Sequence, residues 1–470
     1  MSDPVQGVVR PQPPRVMGLR DVVLFNIIAI VGTRWFTTAA SQFGLASLSL
    51  WVLAMVVFFL PSATAVRELV DIDPGSGGLY RWVSRALGPL HGFLAGWCYW
   101  VNNLFYFPSL LVSAAAILAY AGGPSTVHLG NEPRFIAVVS LVALWFATWL
   151  NVVGLRVGKW LSNIGAFWGT WLPTMLFVLL AAWALIAHGS ATPVTARALV
   201  PSRFDFPSIY LFSTMLFAYG GLELAPTMGG EITDPAATLR RGVVVSGVLI
   251  VGLYMLGTTA MLVALPQETV SITNGMPQAV AALVGRLAAA PLAPLAGVIA
   301  LLLTVGNLGG VGAWAAGGAR LPYVAGVDRA LPEAFGRLHP RWHTPYVSLL
   351  VQAGLASVFI VLSLLGATVT GAYLVLVQAT IILFFIPFLY MFAAYLRLRR
   401  QRTMRTLVTG ISGFLSVLFG IVLSVVPPPG EPWVLFEIKL IGGVVGFFGI
   451  GLWLARRSVS NGTASGPSAA

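Results

Sequence analysis

A helix needs about 20 apolar residues to cross the hydrocarbon of a bilayer, and this chain meets that requirement twelve times. The stretches run over approximately 19–44, 46–70, 89–121, 134–153, 158–188, 207–231, 241–266, 291–319, 345–365, 370–398, 405–426 and 433–455. A water-soluble core has no room for twelve such runs. The composition agrees: 57% of the 470 residues are hydrophobic and 9% are charged, against about 25% charged in soluble domains. The sequence therefore specifies an all-α polytopic membrane protein with twelve transmembrane helices. Short amphipathic pieces are expected at Leu79–Leu87, Pro277–Ala289 and Leu331–Leu338.

Charge sets the orientation. With an even number of spans, 21 of the 27 Lys and Arg residues fall on the loops and tails of one side, five fall on the other, and Arg34 lies inside a span. Cytoplasmic loops hold the excess of Lys and Arg, so both termini are expected in the cytoplasm, with tails at 1–18 and 456–470. The first tail lacks an apolar core followed by a small-residue cleavage site and does not read as a signal peptide. The same bias accounts for the net charge of +12 without a nucleic-acid partner. Short tails and tight cytoplasmic loops fit a protein of a bacterial inner membrane.

Two spans are interrupted. The first breaks its apolar run at Gly32-Thr33-Arg34. The sixth, LFSTMLFAYGGLELAPTMGGEITDP, meets Gly220-Gly221, then Glu223, Pro226 and a second glycine pair. Free backbone and charge are tolerated at membrane depth only where protein or a water-filled cavity covers them. A discontinuous helix meets that condition by turning its open backbone toward a ligand. Segments one to five (19–188) and six to ten (207–398) each begin with such a break. Five helices per copy force opposite topology, the pattern of an inverted repeat with its site between two broken helices. Segments eleven and twelve (405–455) fall outside the repeat.

The chemistry at the breaks suits a small zwitterion or amine. Half-helix N-termini present free N–H groups that can hold a carboxylate, and free carbonyls can hold an ammonium or a cation. The candidate substrate-binding residues are Gly32, Thr33, Arg34, Asn103, Phe217, Gly220 and Gly221. Arg34 has two readings. Its guanidinium fork could bind a substrate carboxylate, or it could close an internal ion pair, with Glu223 as the partner in reach. Glu223 could be a proton-titrating switch or a structural acceptor for nearby backbone. Phe217 could gate the substrate or simply pack. Asn102, Asn103, Tyr106 and Phe107 could line a path or join helices. The glycine-dense LLLTVGNLGGVGAWAAGG reads as close helix packing, with Asn307 and Trp314 as weaker site candidates. Pro173 and Pro387 are expected to kink their helices.

Other classes find less support. One cysteine, Cys98, sits in an apolar run, so no disulfide framework or thiolate metal site arises within the chain. The five histidines lack ligand spacing. No nucleophile–base set appears, so neither an enzyme nor a cofactor is implied. The expected partners are a small-molecule substrate and the lipid bilayer. A binding protein without transport, and a homo-oligomer, both stay open.

The sequence resembles the amino acid–polyamine–organocation superfamily of permeases over nearly its whole length. The resemblance is carried by GSGGLYRWVSRALGPLHGFLAGWCYW (Gly75–Trp100), by FAYGGLELAPTMGGEITDP, and by ARLPYVAGVDRALPEAFGRLHPRWHTP (Ala319–Pro345). Within the superfamily the pattern is most similar to the glutamate–GABA antiporter branch, through FTTAASQFGLASLSLWVLAMVVFFLP and IGAFWGTWLP. The resemblance implies a leucine-transporter-like fold and amino-acid transport, by exchange or coupled to protons. It also implies a proton-sensing role for Glu223 and a gating role for Phe217. The chain departs from the family in three places. The first-helix motif is Gly32-Thr33-Arg34 in place of G-S/A-G. Gly169 stands where some proton-coupled members carry a lysine. The eighth helix lacks the paired Ser/Thr of a sodium site.

Overall fold

The computed structural model describes residues 15–201, 209–288, 290–327, 331–364, 369–399, 403–427 and 433–463. The outer parts of both expected tails, and the first residues of the expected sixth segment, lie outside these. The helices in chain order are α1 (Leu19–Ile30), α2 (Thr33–Phe43), α3 (Ala46–Ile72), α4 (Gly78–Leu87), α5 (Pro89–Leu118), α6 (Pro133–Val153), α7 (Trp160–His188) and α8 (Phe212–Ala218). After a 3₁₀ stretch at Ala225–Glu231 come α9 (Pro235–Ala264), α10 (Gly275–Arg286), α11 (Leu295–Gly318), α12 (Arg320–Val327), α13 (Tyr346–Leu364), α14 (Val369–Leu398), α15 (Met404–Ser424) and α16 (Trp433–Thr463).

Among the described residues, eleven spans are long and apolar enough to cross a membrane. The twelfth expected segment is the sixth, which does not qualify as a continuous helix because it is broken. The seven-residue α8 and the 3₁₀ stretch replace it. The expected amphipathic pieces appear as α4, as α10 and as a 3₁₀ turn at Glu333–Gly336. The final helix runs past its expected end at 455, as far as Thr463.

Burial sorts the helices into centre and rim. In its most apolar window the first span is 89% buried and the last only 18%, so the broken first helix lies at the heart of the bundle. Large apolar side chains such as Val248, Leu179 and Ile186 face outward, as lipid-facing positions require.

Two spans carry a π-helical turn, at Met55–Phe59 in α3 and Phe167–Trp171 in α7. Each lies two residues before a proline, Pro61 and Pro173. Proline cannot donate the helical hydrogen bond, and a widened turn absorbs the misfit. The irregularity expected at Pro173 thus takes the form of a π turn. At Pro387, α14 continues as a single helix.

Helices α7 and α11 meet glycine to glycine. A Cβ at Gly169 would lie 2.1 Å from the Gly306 nitrogen, and one at Gly165 would lie 2.9 Å from the Gly309 Cα. The backbones pack too closely for any side chain, which confirms the small-residue reading of α11. It also closes with backbone the position where the resemblance places a lysine in some relatives.

Candidate functional site

The first break falls at Val31-Gly32, one residue earlier than the sequence suggests. Thr33 and Arg34 belong to the first turn of α2. Val31 still donates to the Ile27 carbonyl at 2.8 Å, but its backbone is extended, as is that of Gly32. The second break starts after Ala218. Tyr219 and Gly220 close short turns onto Leu216 and Phe217, at 3.2 and 2.8 Å. Gly221 then takes φ +130°, a backbone open to glycine and costly for other residues. Close neighbours press on both glycines: a Cβ at Gly220 would lie 2.3 Å from the Phe384 ring, and one at Gly221 would lie 2.7 Å from Ile30.

Helix ends leave carbonyls without intrahelical donors, and at both breaks an aromatic side chain reaches some of them. Tyr254 Oη, from α9, lies 2.7 Å from the Ile30 carbonyl and 2.8 Å from that of Ala218. It shares its one proton between the two breaks. The Tyr254 ring is stacked on Trp51 of α3 at 4.5 Å, and Trp51 Nε1 donates to Thr258 Oγ1 at 2.9 Å. From α11, Trp314 Nε1 donates to the Ala29 carbonyl at 2.8 Å.

Arg34 sits just past the first break with 3% of its surface exposed. None of its three side-chain nitrogens has a hydrogen-bond partner. Its guanidinium lies over the rings of Trp35 and Tyr106, at 4.3 and 5.1 Å. Tyr373 is within electrostatic reach of the cation and stands beside Thr38, one turn along α2. A buried charge without an ion partner costs several kcal/mol, and a cation over an aromatic face recovers about 0.5–2 kcal/mol. The rings therefore shelter the cation without neutralising it.

Glu223 is also buried, and it is fully engaged. One oxygen accepts from Tyr99 Oη at 2.7 Å and the other from the Gly221 amide at 3.0 Å. The Arg34–Glu223 pair is absent: the ion pairs found among the described residues are Arg81–Asp73, Arg320–Glu231 and Arg399–Glu68. Glu223 folds back on the break it follows, while Arg34 points into the aromatic shell of the other break.

Of the residues singled out from sequence, Gly32, Thr33, Arg34 and Phe217 converge. Phe217 meets Trp35 edge-on at 5.5 Å, Phe384 at 4.9 Å and Tyr106 at 6.1 Å. Asn103 lies elsewhere on α5. Its amide nitrogen packs against Gly318, on the face that also carries Tyr99 and Tyr106. Trp35, Tyr99, Tyr254, Tyr373 and Phe384 were not anticipated. Aromatic residues are common in membrane helices, and nothing local marks these. The one readable signal was the spacing of Tyr99, Asn103 and Tyr106, which places three polar groups on one helical face.

Space at the breaks is tight. A cavity of about 10 Å³ lies against Gly32, Thr33, Tyr106, Gly169, Thr170 and Asn307. A cavity of about 880 Å³ lies at the C-terminal end of α2, between Gln42–Ala46, Ala191–Pro201 and Pro266–Glu268. Toward the N-terminal segment the site is closed by polar contacts. Arg320 forks onto both oxygens of Glu231 at 2.7 and 2.8 Å and also donates to the Ala316 carbonyl. The Glu231 carbonyl receives the amides of Val16 and Met17 at 2.9 and 3.1 Å. Ser76 Oγ accepts from Gly230 at 2.8 Å, and Gly77 donates to the Thr227 carbonyl at 2.9 Å.

Among the described residues, eleven apolar spans, the first of them broken, and a second break in the sixth segment, with a buried cation beside the first break, define a multi-pass membrane transporter. The architecture is leucine-transporter-like: it matches the crystal structure of MhsT in complex with L-phenylalanine with a TM-score of 0.64. The match covers 88% of this chain and 99% of that one at 13% identity. The chain belongs to the amino acid permease family, whose model matches residues 18–442. It is 28% identical over 459 residues to an uncharacterised transporter of Legionella pneumophila, covering 94% of this chain and 97% of that one. It is 24% identical over 440 residues to the glutamate/gamma-aminobutyrate antiporter of Lactococcus lactis, covering 88% and 85%.

Proposed function

We propose that the chain carries amino acids across the cytoplasmic membrane by alternating access and that Arg34 holds the substrate carboxylate. The observation behind this reading is the buried guanidinium with three unpartnered nitrogens at the first break. A planar fork of this kind is matched by a carboxylate. Phe217, Trp35 and Tyr106 cover the bound group, and Gly220-Gly221 lets the sixth helix bend around it. Glu223 is the proton-responsive group. It holds Gly221 and Tyr99 in place as an acceptor, so a change in its protonation reaches the second break directly. The 21-to-5 distribution of Lys and Arg favours cytoplasmic termini. The two repeats are 19–188 and 207–398, with 405–455 outside them. Transport is by exchange or linked to protons.

A carrier of polyamines is the weaker reading, because a free buried cation repels a polycation. The test is uptake and exchange by purified protein in proteoliposomes. The panel is labelled acidic, neutral and basic amino acids, GABA and putrescine, with and without a pH gradient, for wild type, Arg34→Ala and Glu223→Gln. Carboxylate-bearing substrates should move, and Arg34→Ala should abolish their binding. Movement of putrescine alone would overturn the reading. Binding without flux would identify a sensor.

A further inference from the structure

We infer that Thr38 and Tyr373 complete the site around Arg34 by hydrogen-bonding the same bound carboxylate, an inference that rests on the role proposed above for Arg34. Thr38 follows Arg34 by four residues on α2, and residues four apart share one face of a helix. Tyr373, near the start of α14, stands beside Thr38 and within electrostatic reach of the Arg34 cation. All three side chains are buried, none of them more than 3% exposed. The guanidinium nitrogens, the Thr38 hydroxyl and the Tyr373 hydroxyl are all without a hydrogen-bond partner. The two hydroxyls are neighbours, yet they do not meet the geometry of a bond to each other.

Buried hydroxyls elsewhere in these helices are bonded to protein. Thr148, Thr174 and Thr380 each donate to the carbonyl four residues back, at 2.8, 2.7 and 2.7 Å. For Thr38 that carbonyl belongs to Arg34, and the Thr37 hydroxyl already lies 2.7 Å from it. Tyr99 and Tyr254 reach Glu223 and the Ile30 carbonyl, each at 2.7 Å. A buried polar group without a partner is costly, and here three such groups face one place. A water would satisfy a hydroxyl and leave the cation unneutralised. An ammonium brings donors only to a place that already holds donors and a positive charge. A carboxylate brings a negative charge and about four acceptor positions, enough for the guanidinium fork and both hydroxyls. The bound group then ties α2, through Arg34 and Thr38, to α14, through Tyr373.

The experiment measures the affinity of the purified full-length protein for labelled L-leucine, L-glutamate and GABA, and carries the tightest binder through a series of variants. The series is Thr38→Val, Thr38→Ser, Tyr373→Phe and Arg34→Leu. Loss of one hydrogen bond to a charged group weakens binding by about tenfold or more. Thr38→Val and Tyr373→Phe should each show that loss, and Arg34→Leu a loss of about thirtyfold or more. Thr38→Ser keeps the hydroxyl and should bind within about threefold of wild type. Without substrate, Thr38→Val and Tyr373→Phe should melt at or above the wild-type temperature, since each removes an unmet polar group. Weaker binding then reports the site and not the fold. Wild-type affinity in either Thr38→Val or Tyr373→Phe, beside a loss in Arg34→Leu, would overturn the inference and leave the proposed function standing. A loss in Thr38→Val that Thr38→Ser fails to restore would overturn it as well, because packing and not the hydroxyl would be at work. Undiminished affinity in Arg34→Leu, or no binding of any of the three probes to wild type, would bring down both readings together. Thr38→Ala takes the place of Thr38→Val if that variant does not fold.

Discussion

Among the described residues two arginines are buried, and their surroundings differ. Arg320 is 7% exposed and Arg34 is 3% exposed. Arg320 closes a two-pronged pair with Glu231 and reaches the Ala316 carbonyl as well. Arg34 has ring faces and no hydrogen-bond acceptor. On the side of the molecule that carries residues 16–17 and 73–78, the ionic and backbone hydrogen bonds are spent on holding shape. At the first break the guanidinium nitrogens have no hydrogen-bond partner. A guanidinium that is already paired fixes structure, and under the proposed function the one kept dry and unpaired takes an anion from outside the chain.

The largest expected effect separates the two arginines by stability. Arg320→Ala leaves the Glu231 carboxylate buried alone and should cost about 3–5 kcal/mol, seen as a fall in melting temperature of the purified protein. Arg34→Leu removes an unpaired buried charge and should melt at or above the wild-type temperature. Equal losses in both variants would break the comparison.

The next effect is on binding. Arg34→Leu should weaken a carboxylate substrate by about 2–5 kcal/mol, read as a loss of thirtyfold or more in affinity. Smaller is the effect of Glu223→Gln, in which the amide faces the Gly221 N–H or the Tyr99 hydroxyl with a donor. The cost is about 1–3 kcal/mol for the unmet group, and exchange should lose its response to an imposed pH gradient. An intact response would take Glu223 out of proton coupling. The smallest belongs to the closed side. Ser76→Ala removes the acceptor of the Gly230 amide and should cost about 1 kcal/mol, seen in the melting temperature with substrate affinity unchanged.

Much of the fold was legible because the signals are local. The sixth segment was readable as broken since Gly220-Gly221 interrupts an apolar run, and the structure leaves only α8 and a 3₁₀ stretch there. Arg34 stood out because a charge inside an apolar run is rare. Its pairing was not legible. The sequence allowed Glu223 as its partner, yet Glu223 turned to Tyr99, 124 positions away. Tyr254 was invisible for the same reason: nothing near it in α9 announces that its hydroxyl reaches Ile30, 224 positions distant. The expected kink at Pro173 became a π turn, because a proline fixes which donor is missing but not how the turn relaxes.

The sequence by itself determined the number of apolar runs, the two places where a helix cannot continue, and the presence of Arg34 and Glu223 at those interruptions. These follow from span length, from glycine's freedom and from the cost of charge in hydrocarbon, all properties of neighbours in the chain. Only the tertiary structure decided which buried polar groups find partners. It paired Arg320 with Glu231 across 89 positions, brought Tyr254 to the Ile30 and Ala218 carbonyls and Trp314 to that of Ala29, and left Arg34 without an acceptor. A hydrogen bond needs two groups within about 3 Å, and for residues far apart in the chain only the packing of helices brings them that close.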